Sequence, residues 1–321
     1  MKLCAHFITL VVVAISFWIT ALLPVSAENL APATHLNPPQ TQTGQPLQVR
    51  LTHTRDTKLE NLIYFALLKL ALEKSHRPFE IKITEVSTST PSIRMINNPE
   101  LINVVWMGTA QKFEQQLWPV RIPLLRGLVG YKVLLIRKDT QSQFDQIKTE
   151  RDLANFKALL GLGWVDADIF AHHQLPYVEG EYSSLMSMLS SGRADYYPRS
   201  IFEFNQELDP QKHPTIELEQ SLLLHYPLAI YFFVAPNNHA LHAALQDGLE
   251  KAMADSSYNQ LLATHPVTRD VFKTLHLRDR RLITIDNPFL TEETRAVLAK
   301  YALDPQQISD INALGTDHHV R

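Results

Sequence analysis

The sequence predicts an α/β protein in which largely parallel β-sheets are covered by helices, and two observations lead to this class. Short apolar runs that suit strands alternate along the chain with amphipathic stretches that suit helices. Some runs, such as Val104 to Met107, are apolar at every position, as in strands that are buried on both faces. The series restarts after residue 130, so we expect two sheets, one formed before that position and one after it.

The predicted elements follow in chain order. Strands are predicted at 47–51, 79–83, 104–107, 131–137, 158–162, 177–178, 194–197, 216–224 and 229–235. Helices are predicted at 59–74, 150–156, 163–173, 183–191, 240–254 and 257–264. Pro198 is expected to end its strand at Tyr197, and a new helix is expected from Ser200.

The first 27 residues have the pattern of a secretory signal peptide. Lys2 is followed by an uncharged apolar run from Phe7 to Leu23, which Pro24 ends, and the small residues 25–27 suit a signal peptidase. The sequence therefore predicts cleavage after Ala27 and export to the periplasm. The run is longer than most signal segments, so an uncleaved membrane anchor is the alternative. Residues 28–46 are polar and rich in proline, which predicts a flexible leader.

Composition excludes several classes of function. Cys4 is the only cysteine, so a chain cleaved after residue 27 has no disulfide and no cysteine nucleophile. Cleavage removes one of 30 basic and none of 33 acidic residues, which leaves a net charge of −4 and gives no reason to expect a nucleic-acid partner. The zinc-protease, serine-hydrolase and phosphate-loop motifs are missing from the sequence. We therefore predict a protein that is not an enzyme and that uses no metal or cofactor.

Four segments, in this order, resemble motifs of one protein family. They are VVWMGTAQKFEQQLWPVRIPLL (104–125), GYKVLLIRKD (130–139), LSSGRADYY (189–197) and YFFVAPNNHALHAALQDGLEKAMADSSYNQLLATH (231–265). The chain is thereby similar to the extracytoplasmic solute-binding proteins of the type 2 periplasmic-binding fold, in their family 3 or amino-acid-binding branch. Each motif alone is common, and the resemblance depends on finding all four in order at suitable spacing.

The resemblance implies a two-lobed α/β protein whose chain crosses a hinge twice. Lobe 1 would comprise 47–130 and 230–290, lobe 2 would comprise 131–229, and 291–321 would be a C-terminal extension. The implied function is a monomeric periplasmic receptor that closes its lobes on a small polar or anionic ligand. Its partner would be an ABC-type transporter or a membrane sensor. Two alternatives remain open: a degenerate binding fold that acts through protein–protein interaction and, less favoured, an enzyme on the same scaffold.

Ligands of open parallel sheets bind at the carboxyl ends of the strands. The predicted ends are Thr52 to Asp56, Trp106 to Thr109, Gly161 to Trp164 and Pro198 to Arg199, and two facing lobes would bring them to one cleft. The candidate ligand-binding residues at or near these ends and crossovers are Trp106, Thr109, Lys112, Arg121, Arg126, Gly163, Asp166, Arg199 and Tyr226.

Arg199 is the predicted anchor for an anionic or strongly accepting ligand group, because a guanidinium makes two directed hydrogen bonds. The alternative for Arg199 is a salt bridge within the protein. Trp106 is predicted to stack on the ligand or, alternatively, to pack in the core. In the family, an arginine that grips the ligand carboxylate stands where this chain has Lys112, and an acid stands near Arg199 and Ser200. A free α-amino acid is therefore not the expected ligand.

Overall fold

The computed structural model describes residues 45–54, 58–86, 96 and 98–306. The predicted signal peptide, nearly all of the predicted leader and residues 307–321 lie outside these ranges, so those predictions stay predictions. Within the described ranges, none of the helices has both the length and the apolar character that a membrane crossing needs.

The described strands are β1 (Leu47–Thr54), β2 (Phe79–Val86), β3 (Val104–Gly108), β4 (Trp118–Pro119), β5 (Tyr131–Arg137), β6 (Ala158–Gly161), β7 (Tyr177–Gly180), β8 (Tyr196–Ser200), β9 (Ile216–Leu218), β10 (Leu222–His225), β11 (Ile230–Val234) and β12 (Arg281–Thr284). The described α-helices are α1 (Ile63–Lys74), α2 (Gln111–Glu114), α3 (Gln141–Phe144), α4 (Glu150–Leu153), α5 (Val165–His172), α6 (Leu185–Ser190), α7 (Phe204–Glu207), α8 (His239–Ala254), α9 (Ser257–Thr264), α10 (Val271–Thr274) and α11 (Glu292–Tyr301).

Two small sheets are joined by one buried asparagine. β1 pairs with β2 in parallel, and β3, β11 and β4 form an antiparallel sheet. The Asn103 side chain accepts a hydrogen bond from Arg50 N at 2.8 Å and donates to Gln48 O at 2.7 Å. Since Asn103 directly precedes β3, its amide group connects β1 to the edge of the second sheet.

The larger sheet has the strand order β12-β10-β5-β8-β6-β7, with β9 also paired to β5. β6 runs parallel to β7 and β8, whereas β5 runs antiparallel to its neighbours β8, β9 and β10. β12 pairs in parallel with β10, from Leu222 opposite Arg281 to His225 opposite Thr284. In the predicted division, β12 falls within the range 230–290 of lobe 1 and β10 falls within the range 131–229 of lobe 2.

The prediction that Pro198 ends its strand is wrong, since β8 continues to Ser200. Ile201 N donates to Tyr131 O. Because backbone N–H groups alternate in direction along a strand, the nitrogen of Pro198 points away from β5. β8 pairs with β6 only at Tyr196, so no ladder hydrogen bond is lost at Pro198. The helix that follows is α7, which begins four residues later than predicted.

Two other predicted elements are divided in the structure. The predicted helix 59–74 is a 3-10 turn over Leu59–Asn61 followed by α1, with an extended residue at Leu62 between them. The predicted strand 216–224 becomes β9 and β10, because the buried carboxylate of Glu219 accepts hydrogen bonds from Ser221 N and Leu222 N. A side chain that bonds its own backbone in this way forms a turn and stops the strand.

The chain passes between the sheets at two adjacent crossovers. The first is the 3-10 segment Leu125–Gly130, which leads into β5, and the second runs from His225 to Ile230. Tyr226 N donates to Gly130 O at 3.2 Å. A Cβ atom at position 130 would collide with the carbonyl oxygen of Tyr226, so glycine is required where the two crossovers touch.

His225 makes stability depend on pH at this junction. Its ring stacks on Tyr131, with centroids 4.1 Å apart. Burial lowers the pKa of His225 from 6.5 to about 4, against a smaller opposing effect of Asp304. The unfolded chain therefore takes up the proton first, so the stability contribution is complete above the ordinary pKa and is lost as the pH falls toward about 4.

We expect the wild-type protein to lose on the order of 2 kcal/mol more stability than His225→Phe between about pH 7 and about pH 5. Phenylalanine keeps the stacking and removes the titration. Urea denaturation of both proteins at both pH values measures the difference. Equal losses would show that folding does not lower the pKa of His225.

Candidate functional site

A cavity of about 300 Å³ lies where several strands end. Leu51 to His53 of β1, Trp106 of β3 and Arg199 of β8 line it together with residues from α1, α7 and the loop after β6. For β1, β2 and β8, which belong to parallel pairs, the cavity lies at the carboxyl ends, the position that such strands favour for a ligand, whereas β3 is antiparallel and lines it from its first half. We call it the aromatic cavity, after four rings in its wall: Tyr64, Trp106, Trp164 and Tyr182.

The rings stand in two groups. Tyr64 and Trp106 are stacked, with centroids 6.1 Å apart and an interplanar angle of 22°. The ring centroids of Trp164 and Tyr182 lie 6.5 Å apart. These rings give the cavity an apolar wall on which a flat or aliphatic group can pack.

The polar part of the cavity is a cluster of one arginine and two glutamates. Arg199 Nε donates to Glu207 Oε1 at 2.8 Å, and its Nη2 lies 3.0 Å from Glu203 Oε2. The arginine side chain is 7% exposed and that of Glu207 is 9% exposed, whereas that of Glu203 is 27% exposed. The guanidinium also lies 4.8 Å from the centre of the Trp164 ring. Charge-assisted contacts with two carboxylates and a ring face therefore fix the arginine in place.

Tyrosine hydroxyls extend this cluster to both sides of the cavity. Tyr64 donates to Glu203 Oε1 at 3.1 Å, and Tyr182 donates to Glu207 Oε1 at 3.0 Å. Burial and the nearby Glu203 carboxylate raise the pKa of Tyr64 well above its usual value. Burial and Glu207 likewise raise the pKa of Tyr182. Both phenols are therefore neutral hydrogen-bond donors at physiological pH.

Of the predicted site residues, Trp106 and Arg199 line the aromatic cavity. Thr109 and Arg121 instead donate to the carboxylate of Glu114, at 2.6 and 2.8 Å. Thr291 and Thr294, at the start of α11, donate to the same carboxylate. Burial raises the pKa of Glu114, but the hydrogen bonds from Thr109 and Thr294 outweigh it and hold the pKa below its usual value. These groups join α2 to α11.

Asp166 and Tyr226 are brought together, away from the lining of the aromatic cavity. The Tyr226 hydroxyl donates to Asp166 Oδ1, and Lys132 Nζ lies 3.2 Å from the same oxygen. Asp166 and Lys132 are 6% and 5% exposed. Burial raises the pKa of Asp166, but the Lys132 ammonium and the tyrosine hydroxyl outweigh it and hold the pKa below its usual value. This is a satisfied, buried ion pair.

The remaining candidates also have protein partners. Lys112 forms an ion pair with Asp168 on the first turns of α5, and both side chains are exposed. Arg126 Nε donates to Tyr301 O at 3.1 Å. Gly163 N donates to Glu179 Oε1 at 3.0 Å. None of these three lines the aromatic cavity as the described residues define it.

The cavity is also lined by four residues that the sequence did not single out, namely Tyr64, Tyr182, Glu203 and Glu207. The sequence does carry a signal for the glutamates: Glu203 and Glu207 follow Arg199 at intervals of four residues, and in the helix predicted from Ser200 this spacing would place them on one side. No comparable signal marks Tyr64, which has the place of an ordinary core residue in the amphipathic pattern of α1. The described residues contain no cluster of histidine, cysteine, aspartate and glutamate suited to a metal ion.

Comparisons with known proteins give the fold. No model of a protein family matches the chain, and no curated protein sequence matches it. Solved structures do match. A double mutant of the VFT2 domain of BvgS from Bordetella pertussis is 16% identical, covers 68% of this chain and 93% of its own, and gives a TM-score of 0.52.

Two further structures match to the same degree. A histidine kinase sensor domain with similarity to periplasmic binding proteins is 12% identical, with 70% and 97% of the two chains covered and a TM-score of 0.51. The amino acid ABC transporter substrate-binding protein AbpA from Streptococcus pneumoniae, bound to L-arginine, is 10% identical, with 70% and 94% covered and a TM-score of 0.51. The chain thus has the type 2 α/β fold of periplasmic binding proteins, as its four sequence motifs predict.

Proposed function

We propose that this protein is an exported receptor that binds a small solute in the aromatic cavity. The observation that carries the proposal is the cavity itself: its volume of about 300 Å³ lies in the range of small-molecule sites, and its wall is mostly apolar with a few placed polar groups. Similar folds serve a transporter in AbpA and a sensor in the histidine kinase domain. Delivery to a transporter or a sensor is therefore the proposed output.

Binding by closure of two lobes is part of the proposal. The predicted lobe 1 contributes Tyr64 and Lys112, and the predicted lobe 2 contributes their partners Glu203 and Asp168. The hydrogen bond from Tyr64 to Glu203 joins two residues of the cavity wall, and the ion pair of Lys112 with Asp168 lies outside it; both would be contacts of a closed form. A partly buried hydrogen bond and an exposed ion pair of this kind are weak enough to exchange with ligand binding.

Binding, as opposed to catalysis, is favoured by the state of the polar groups. Arg199 is paired with two carboxylates, and both carboxylates also accept hydrogen bonds from tyrosines. A general base or nucleophile needs an unblocked atom that faces the substrate. The cluster instead fixes charged side chains in the cavity wall, where they can contact a bound ligand.

Trp106→Ala is expected to weaken binding of the natural ligand by about tenfold or more, which is about 1.4 kcal/mol, because it removes one stacking surface. Native mass spectrometry of protein purified from the cells that export it should show a small-molecule adduct on the wild type and little on the variant. Trp118→Ala is the matched control: both tryptophans are half-buried on strands that pair with β11, but Trp118 does not line the cavity. Retention of the adduct by Trp106→Ala would contradict the proposed site.

A further inference from the structure

The charges around the aromatic cavity do not favour the anionic ligand that the sequence predicts. Among the described lining residues, the charged side chains are Arg199, Glu203 and Glu207. One positive and two negative charges leave a formal net charge of −1. In a partly dry cavity this surplus acts more strongly than in water, so it repels an anion and attracts a cation.

The arginine that was expected to bind an anion is already engaged. Two of its three guanidinium nitrogens, Nε and Nη2, are paired with Glu207 and Glu203. An incoming carboxylate could approach only the third nitrogen, Nη1, and would there add a third negative charge beside Glu203 and Glu207. One guanidinium does not neutralise three carboxylates, so this contact gains little.

The rings and one histidine supply what a cation needs. The Arg199 guanidinium lies over the face of Trp164, which shows that this wall already accepts a positive charge on an aromatic surface. His53 Nδ1 lies buried in the cavity wall and has no hydrogen-bond partner among the described residues. An imidazole nitrogen that carries no hydrogen accepts a hydrogen bond from an N–H donor.

We infer that the ligand carries an ammonium or guanidinium group, placed near Glu203 and Glu207, on an apolar body that packs against Tyr64, Trp106 and Trp164. A carboxylate on the ligand is disfavoured, since none of the described lining residues offers an unpaired cation to receive it. This inference rests on the proposed receptor function and narrows its ligand class.

Three probes of similar size and shape test the charge preference: phenethylammonium, phenylpropionate and phenylalanine. Calorimetric titration of the protein, freed of any bound molecule, should give a dissociation constant for phenethylammonium that is at least about tenfold lower than for the other two. Glu203→Gln should reduce the affinity for phenethylammonium by about tenfold. Glu250→Gln makes the same change on an exposed position of α8 and should leave the affinity unchanged.

The outcomes distinguish failure of the cationic-ligand inference from failure of the proposed receptor function. Equal or tighter binding of phenylpropionate or phenylalanine overturns the cationic ligand and leaves the receptor function standing. Failure of all three probes at millimolar concentration also overturns it, whereas the receptor function is judged by the natural adduct and its loss in Trp106→Ala. The wild-type comparison does not depend on any variant folding, and circular dichroism shows whether Glu203→Gln retains the fold.

Discussion

Arg199→Met is expected to lower the free energy of unfolding by about 3–5 kcal/mol, because it leaves two carboxylates close together in a buried site without their cation. Glu207 loses both of its guanidinium contacts, and Glu203 loses its one. Methionine fills a similar volume, so the loss reflects charge more than packing. Urea denaturation at neutral pH measures the effect.

Two comparisons make the result specific. Arg269→Met removes an arginine whose side chain is 54% exposed and pairs with the exposed Asp270, and it should cost at most about 1 kcal/mol. Adding Glu207→Gln to Arg199→Met should recover part of the lost stability, because one of the two stranded charges is removed. Unchanged stability in Arg199→Met together with lost ligand affinity would restore the sequence-based prediction that Arg199 is an anion anchor.

The contrast between these two expectations shows what the sequence can and cannot reveal about Arg199. A strand end followed by a helix predicts where the arginine lies, and the structure places it in the cavity. Its partners depend on the path of the chain after residue 200. Because β8 continues through Pro198 to Ser200 and α7 begins only at Phe204, both glutamates return to the guanidinium.

Elements with a strong local pattern were predictable to the residue. The strand Tyr131–Arg137 and the helix Ser257–Thr264 have the predicted bounds, since apolar periodicity and flanking polar residues act locally there. The pairing of β12 with β10 was not predictable, because a four-residue strand is added to an edge that only the folded sheet provides. Long-range polar contacts such as those of Glu114 were also not predictable, because they produce no periodic pattern in the sequence.

Asp166 is a second predicted site residue whose long-range partners could not be predicted from the sequence. Its place at the start of a helix after a strand end favours either a cap or a ligand contact. In the structure the carboxylate lies against Lys132 of β5 and Tyr226 of the second crossover. The ammonium group also lies 5.2 Å from the centre of the Tyr226 ring. Three segments that are distant in sequence are therefore joined by one buried charge pair.

Asp168→Asn provides a matched control for Asp166, because both aspartates lie in α5 and both pair with a lysine. The side chains of Asp168 and Lys112 are 40% and 50% exposed, whereas those of Asp166 and Lys132 are 9% and 6% exposed. Water screens the first pair, so its loss should cost no more than about 1 kcal/mol. Asp166 and Asp168 have similar positions on the helix, so burial is the main difference between Asp166→Asn and Asp168→Asn.

Asp166→Asn is expected to lower the free energy of unfolding by about 3–5 kcal/mol, because it strands the ammonium of Lys132 in a site that water does not reach. The asparagine can still accept the hydrogen bond from Tyr226, so the loss isolates the charge. Lys132→Met in the same chain should recover much of the stability, since an uncharged pair needs no partner. Urea denaturation of the single and double variants measures these differences. If Asp166→Asn costs no more than Asp168→Asn, the buried pair does not stabilise the fold at the crossover.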